Sequence, residues 1–136
     1  MRLWHYKLIP YLPKSQLVAQ WRELNSIYKK QDKHILINYI YDYGKEYLFS
    51  YSAAVILEMD ARGYNVKSLE NFNNYFSELL ANRQALSVSL YYREHNFSYL
   101  RQCFYNLQEK FDRGQKDFSA PVYAKLRDFV ASEHAL

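Results

Sequence analysis

The sequence predicts an all-α fold, a single compact domain of about four to five helices behind an extended N-terminal arm. Three observations lead there. The 136 residues include only three glycines and three prolines, 49% of the chain is apolar, and the apolar residues recur at helical spacing over segments of helix length. A chain this long buries roughly two-thirds of the surface its unfolded form exposes, enough for a real core. One domain over residues 1–136 is the expectation.

Met1 to Lys14 carry Pro10 and Pro13 and no helical stripe, which suits an extended or turning arm. Ser15 is the expected N-cap of a first helix over about 15–30, where Leu17, Trp21, Leu24 and Tyr28 fall at i, i+4, i+7 and i+11. Glu23 lies about 200° around the wheel from Trp21, so it faces either bulk water or a groove lined by the arm. Lys29 to Lys33 form a charged break, and His34 to Tyr43 reads either as a short helix or as a packed loop.

A second long helix over about 45–62 places Leu48, Tyr51, Val55, Met59 and Arg62 on one face, widened by Phe49, Ala53 and Ile56. So broad a stripe suits a central helix. Gly63 follows its last turn as a C′ cap. Ser68 caps a third helix carrying Phe72, Phe76 and Leu79, and Asn96 or Ser98 a fourth carrying Leu100, Cys103, Phe104, Leu107 and Phe111, which ends near Gly114. Ser119, with Pro121 in the first turn, opens a last helix with Val122, Leu126, Phe129 and Val130 on one face.

The lone Cys103 excludes an internal disulfide and sits on a helix stripe as an inert buried thiol. No apolar run is long enough to span a bilayer, so the expected protein is cytoplasmic with no membrane partner. A net charge of +4 beside fifteen tyrosines and eight phenylalanines suits phosphate contact with base stacking, and equally suits many proteins that bind no nucleic acid. The sequence has no glycine-rich phosphate loop, paired-cysteine zinc motif or serine-nucleophile elbow.

Chemistry concentrates near the start. Gln16-Leu17-Val18-Ala19-Gln20-Trp21-Arg22-Glu23-Leu24 sets an acid beside a base, and its Arg22-Glu23-Leu24 resembles the signature of the pyrimidine-dimer DNA glycosylase/AP lyase family, the endonuclease V-like repair enzymes. The register holds without a gap from Met1 to Leu24. Arg62-Gly63-Tyr64-Asn65-Val66 resembles the same family's helix end. Small uncharacterised bacterial members share the opening Met1 to His5, Ile9 to Pro13, and Lys33-His34.

The resemblance implies a DNA repair enzyme acting on double-stranded DNA with a damaged or abasic site, without metal or organic cofactor, with a monomer favoured. It implies a nucleophile that is the α-amine at the start of the chain, on Met1 or Arg2, assisted by Glu23, with Arg22, Lys33 and His34 on the DNA. An α-amine suits the task because it titrates near 7.7–8.0, leaving roughly a tenth neutral at pH 7 against well under a thousandth of a lysine. Arg2 stands where the family pattern has a threonine that permits removal of the initiator methionine, so Met1 is expected to stay. Leu3, Gln16 and Ser26 stand where the pattern has arginine, histidine and arginine.

Other readings remain open. His5, Glu23 and His34 together would form a two-histidine, one-carboxylate metal site. Trp4 and Trp21 serve either base stacking or the core, and Tyr39, Tyr41, Tyr43 and Tyr47 near Lys45 either bind bases or pack. The alternative to an enzyme is a non-catalytic helical module that binds nucleic acid or protein.

Overall fold

The computed structural model describes residues 1–82 and 88–134, and among them every regular element is a helix. A 3-10 helix at Tyr6–Tyr11 precedes α1 (Lys14–Lys30), a second 3-10 helix spans Asn38–Asp42, and α2 (Lys45–Ala61), α3 (Leu69–Tyr75), α4 (Ser77–Ala81), α5 (Phe97–Asp112) and α6 (Ala120–His134) follow. The all-α expectation holds. α1 packs on α2 and α3, α5 packs on α6, and the Tyr6–Tyr11 helix lies between α2 and α6.

The stripe read on α1 is buried throughout, with Leu17 and Leu24 at 0% exposure and Ile27 added to it. Its start differs from the expectation. Pro13 is the N-cap, and Ser15 lies inside the first turn with its N–H donated to the Asp117 carboxylate at 2.7 Å. That long-range acceptor satisfies one of the orphan N–H groups a local serine cap would have served.

α2 and α5 end alike. Gly63 (φ +78°) donates to the Asp60 carbonyl while Tyr64 donates to Met59. Gly114 (φ +82°) donates to Phe111 while Gln115 donates to Lys110. Both are Schellman closures, which need a residue at ease in the left-handed region. Arg62 does more than extend the apolar face: its guanidinium donates to the Leu12 carbonyl at 2.8 Å, the Pro10 carbonyl at 3.1 Å and Glu58 at 2.9 Å. It thereby ties the proline-bearing arm to the end of α2.

The third helix divides at Phe76, whose backbone (φ −103°, ψ 21°) leaves helical geometry. Its fully buried ring meets Tyr28, Phe49 and Phe72 edge-on, so the break seats the largest fully buried side chain of the core. His34 to Tyr43 combines both readings, a turn followed by the Asn38–Asp42 helix. Asn96, not Ser98, caps α5 by accepting from Tyr99 N–H at 2.9 Å, and Ser119 accepts from Val122 N–H at 3.4 Å.

The arm is extended only over residues 1–5 and is no loose tail. Leu3, Trp4 and His5 are buried. Burying Leu3 and Trp4 contributes about 1.5–3 kcal/mol each, which offsets part of the entropy lost in ordering the arm. Cys103 is fully buried, and burial pushes its thiol up. Among the described residues no helix is long and apolar enough to cross a membrane.

Candidate active site

α1 carries Gln20 and Glu23 three residues apart, hence on one helix face. The arm runs across that face and is fixed there by Gln20, which is 1% exposed. The Gln20 Oε1 accepts from Trp4 N–H at 2.8 Å and from the Tyr51 hydroxyl at 2.8 Å, and its Nε2 donates to the Arg2 carbonyl at 3.0 Å and to Glu23 at 3.2 Å. Only this orientation of the amide satisfies the Trp4 N–H, so the network sets the flip. The Tyr51 proton also reaches the Trp4 carbonyl at 2.7 Å, and the Tyr99 hydroxyl donates to the Leu3 carbonyl. Three successive carbonyls of the arm thus have fixed donors.

This pinning brings the chain start to Glu23. Met1, Arg2, Trp4, Gln20 and Glu23 line one cleft of about 310 Å³, together with Leu36 from the turn after α1 and Asn106 and Lys110 from α5. Glu23 is half-buried, and that burial pushes its carboxyl above the ordinary glutamate value. The N-terminal amino group, the Arg2 N–H that its carboxylate accepts, and the Arg22 charge pull the other way. The amino group therefore acts on the carboxylate through space. Where Arg2 was expected to matter only through its α-nitrogen, its guanidinium also stacks over Trp4 at 5.8 Å and Tyr99 at 6.0 Å.

Of the sequence-derived site residues, Met1, Arg2 and Glu23 meet. Arg22 points out of the cleft into a neighbouring groove that it shares with Lys29, Lys30 and Lys67. Lys33 and His34 sit exposed on the turn beyond α1, Lys33 over the Tyr41 ring at 5.3 Å and His34 accepting from Leu36 N–H at 3.1 Å through its Nδ1. Neither lines the cleft.

His5 joins neither Glu23 nor His34. It lies against His95, ring centroids 5.3 Å apart, where His95 Nδ1 accepts from Tyr6 N–H at 3.2 Å and its Nε2 meets the Tyr39 hydroxyl at 2.7 Å. Burial lowers His5 to about 4 and, with His5 beside it, lowers His95 to about 3, so both are neutral at pH 7. Among the described residues no three His, Cys, Asp or Glu side chains gather to hold a metal ion.

The tryptophans are core: Trp4 is 8% and Trp21 4% exposed, the latter donating its indole N–H to the Lys67 carbonyl at 2.7 Å. The tyrosine cluster packs too, Tyr43 donating to Glu94 at 2.5 Å and Tyr47 stacking on Tyr92. The sequence reading missed Gln20, Tyr51, Tyr99, Asn106 and Lys110. Gln20 alone gave a local signal, a polar residue three positions from Leu17 and three from Glu23; the others arrive from distant helices.

The family profile described as pyrimidine dimer DNA glycosylase matches residues 1–71, a span that holds Met1, Arg2, Arg22, Glu23, Lys33 and His34 and stops before α5. No curated protein and no solved structure matches the chain.

Proposed function

The chain belongs to the pyrimidine dimer DNA glycosylase family, and we propose that it excises damaged pyrimidines from double-stranded DNA and cleaves the abasic product, using the α-amine at the start of the chain as nucleophile and Glu23 as its acid–base partner. The observation that carries this reading is the single cleft shared by Met1 and Glu23, in which the amino group pulls the Glu23 carboxyl down against the rise caused by burial. On an abasic or flipped-out nucleotide the neutral amine bonds to the sugar C1′. On the damaged nucleotide the base leaves with the glycosidic electron pair and takes up a proton, and on an abasic sugar the C1′ oxygen leaves as water.

Opening of the sugar ring and loss of a proton from nitrogen leave a Schiff base. Glu23, as carboxylate, then removes a proton from C2′, and the C3′–O bond breaks with its electrons departing on the phosphate. Half-burial raises the Glu23 carboxyl above the ordinary glutamate value, which makes it a stronger base than an exposed glutamate. Arg22, with Lys29, Lys30 and Lys67 in the adjoining groove, would take phosphates, and Lys33 and His34 would extend that contact along the duplex.

A second reading has its own observation. The Gln20 amide donates both to Glu23 at 3.2 Å and to the Arg2 carbonyl at 3.0 Å, and in a non-catalytic module binding nucleic acid or protein that link would simply anchor the arm. The two part on one experiment: duplex DNA with one abasic site, borohydride, and a search for a covalent adduct. The enzyme reading expects an adduct that is lost when the N-terminus is blocked, and strand cleavage that is lost with Glu23→Gln. DNA bound without any adduct would favour the module.

A further inference from the structure

The turn joining α1 to the Asn38–Asp42 helix holds up an apolar side chain that covers nothing. Ile35 is 86% exposed, the most of any large apolar residue among those described, while Ile37, two residues on, is fully buried. The turn is braced at several points. The Ser26 hydroxyl donates to the Asp32 carboxylate, and the Tyr41 hydroxyl to the Asp32 carbonyl. His34 N–H donates to Asn38 Oδ1 at 2.7 Å, Ile37 N–H to the His34 carbonyl at 2.9 Å, and Leu36 N–H to His34 Nδ1 at 3.1 Å. A loop able to fold Ile35 inward would do so, since exposed apolar surface is unfavourable; this one is pinned with Ile35 outward.

Its surroundings say what it meets. Leu36, 41% exposed, forms a wall of the cleft that holds Met1 and Glu23. Lys33 and His34 precede it on the turn, and Lys29 and Lys30 on the last turn of α1 line the groove with Arg22 and Lys67. Asp32, on the same turn, accepts from the Ser26 hydroxyl. A rigid aliphatic tip flanked by cations and bordering a cleft fits a base stack between two phosphate backbones better than it fits an apolar protein surface.

We propose that Ile35 is a wedge that enters the base stack of duplex DNA beside the lesion, displacing the damaged nucleotide toward the cleft past Leu36. The proposal rests on reading that cleft as the site of a damaged or abasic nucleotide. Insertion of an aliphatic side chain unstacks a base step and kinks the duplex, so Ile35 should govern access to the chemistry and leave the chemistry alone.

The test uses Ile35→Ala and Ile35→Leu with two abasic oligonucleotides, one duplex and one single-stranded, and borohydride trapping as readout. A duplex with 2-aminopurine next to the abasic site reports unstacking by fluorescence. Ile35→Ala should lower duplex trapping and the fluorescence rise by about tenfold or more, leave single-strand trapping within about twofold, and be rescued by Ile35→Leu. Equal duplex trapping and fluorescence in wild type and Ile35→Ala would overturn the wedge. So would a wild-type dimer in sedimentation that Ile35→Ala dissolves, because a second copy would then be the occupant. If wild type traps neither oligonucleotide, the amine reading fails by itself, and the 2-aminopurine signal still decides the wedge.

Discussion

Two buried polar clusters flank the N-terminal arm, and their contrast shows what marks a site in this molecule. On one side Gln20, Arg2 and Glu23 gather under Trp4; on the other His5 and His95 meet Tyr6, Tyr39 and Tyr51. Desolvation acts on both, raising the Glu23 carboxyl and lowering the two imidazoles. The difference is what remains on the open side. Each histidine has its Nδ1 taken by a backbone N–H, and His95 lines a cavity of about 210 Å³ with Tyr6 and Tyr51, whereas the cleft at Glu23 also holds the chain start. A displaced pKa and a neighbouring cavity are thus shared by both clusters, and the chain start beside Glu23 separates them.

The sharpest way to break the comparison is Glu23→Gln. It keeps an acceptor for the Gln20 amide N–H and should leave the thermal midpoint nearly unchanged while lowering strand cleavage by roughly 10²–10⁴-fold. In wild type the acid limb of the cleavage pH profile should include a group above the ordinary glutamate pKa, because Glu23 must be ionised and burial raises it. That contribution should vanish in the variant, while the contribution of the amine stays. A midpoint loss with unchanged cleavage would make Glu23 a scaffold residue like His95.

Gln20→Ala comes next. It strips the Trp4 N–H and the Arg2 carbonyl of their buried partners and leaves a void, so about 2–4 kcal/mol of stability should be lost in urea titration. Adduct yield should fall with it as the arm comes free. An unchanged midpoint would mean that Arg62, Tyr51 and Tyr99 suffice to hold the arm.

The histidine side predicts an acid-sensitive fold. Folded pKa values of about 4 and about 3 lie below the unfolded value of 6.5, so the unfolded chain binds protons more readily. The stability of the neutral pair is fully present above pH 6.5 and is lost as the pH falls through 4 and 3. The loss should be roughly 3 kcal/mol from His5 alone and more from the pair, read as thermal midpoint against pH, and His95→Gln should flatten the curve. A midpoint unchanged down to pH 4 would show the pair is not neutral by burial.

The smallest effect belongs to Arg22→Ala, in the basic groove. Duplex affinity should fall a few-fold, and the slope of log K on log salt should lessen by about 0.9, one phosphate contact. An unchanged slope would take Arg22 off the DNA.

Local pattern made the helices legible, because a stripe such as Leu17, Trp21, Leu24 and Tyr28 is written in consecutive turns, as are the glycine closures at Gly63 and Gly114. Glu23 and the chain start were legible through the Arg22-Glu23-Leu24 resemblance. What pins them was not. Tyr51 reaches Gln20 across 31 residues, Tyr99 reaches Leu3 across 96, and His95 reaches Tyr6 across 89. No periodicity encodes such pairs. Ser15 shows the same limit in reverse: the local cap rule was sound, yet Asp117, 102 residues away, supplied the acceptor.

The central claim is that the nucleophile is the α-amine beside Glu23, and Lys110 offers a rival amine in the same cleft. The most direct measurement is therefore to reduce the wild-type adduct with abasic duplex DNA, digest it, and locate the modified nitrogen by tandem mass spectrometry. The account predicts the label on the α-nitrogen of the N-terminal peptide, on Met1 if intact mass shows that residue retained. A label on Lys110, or on any other lysine side chain, would contradict it.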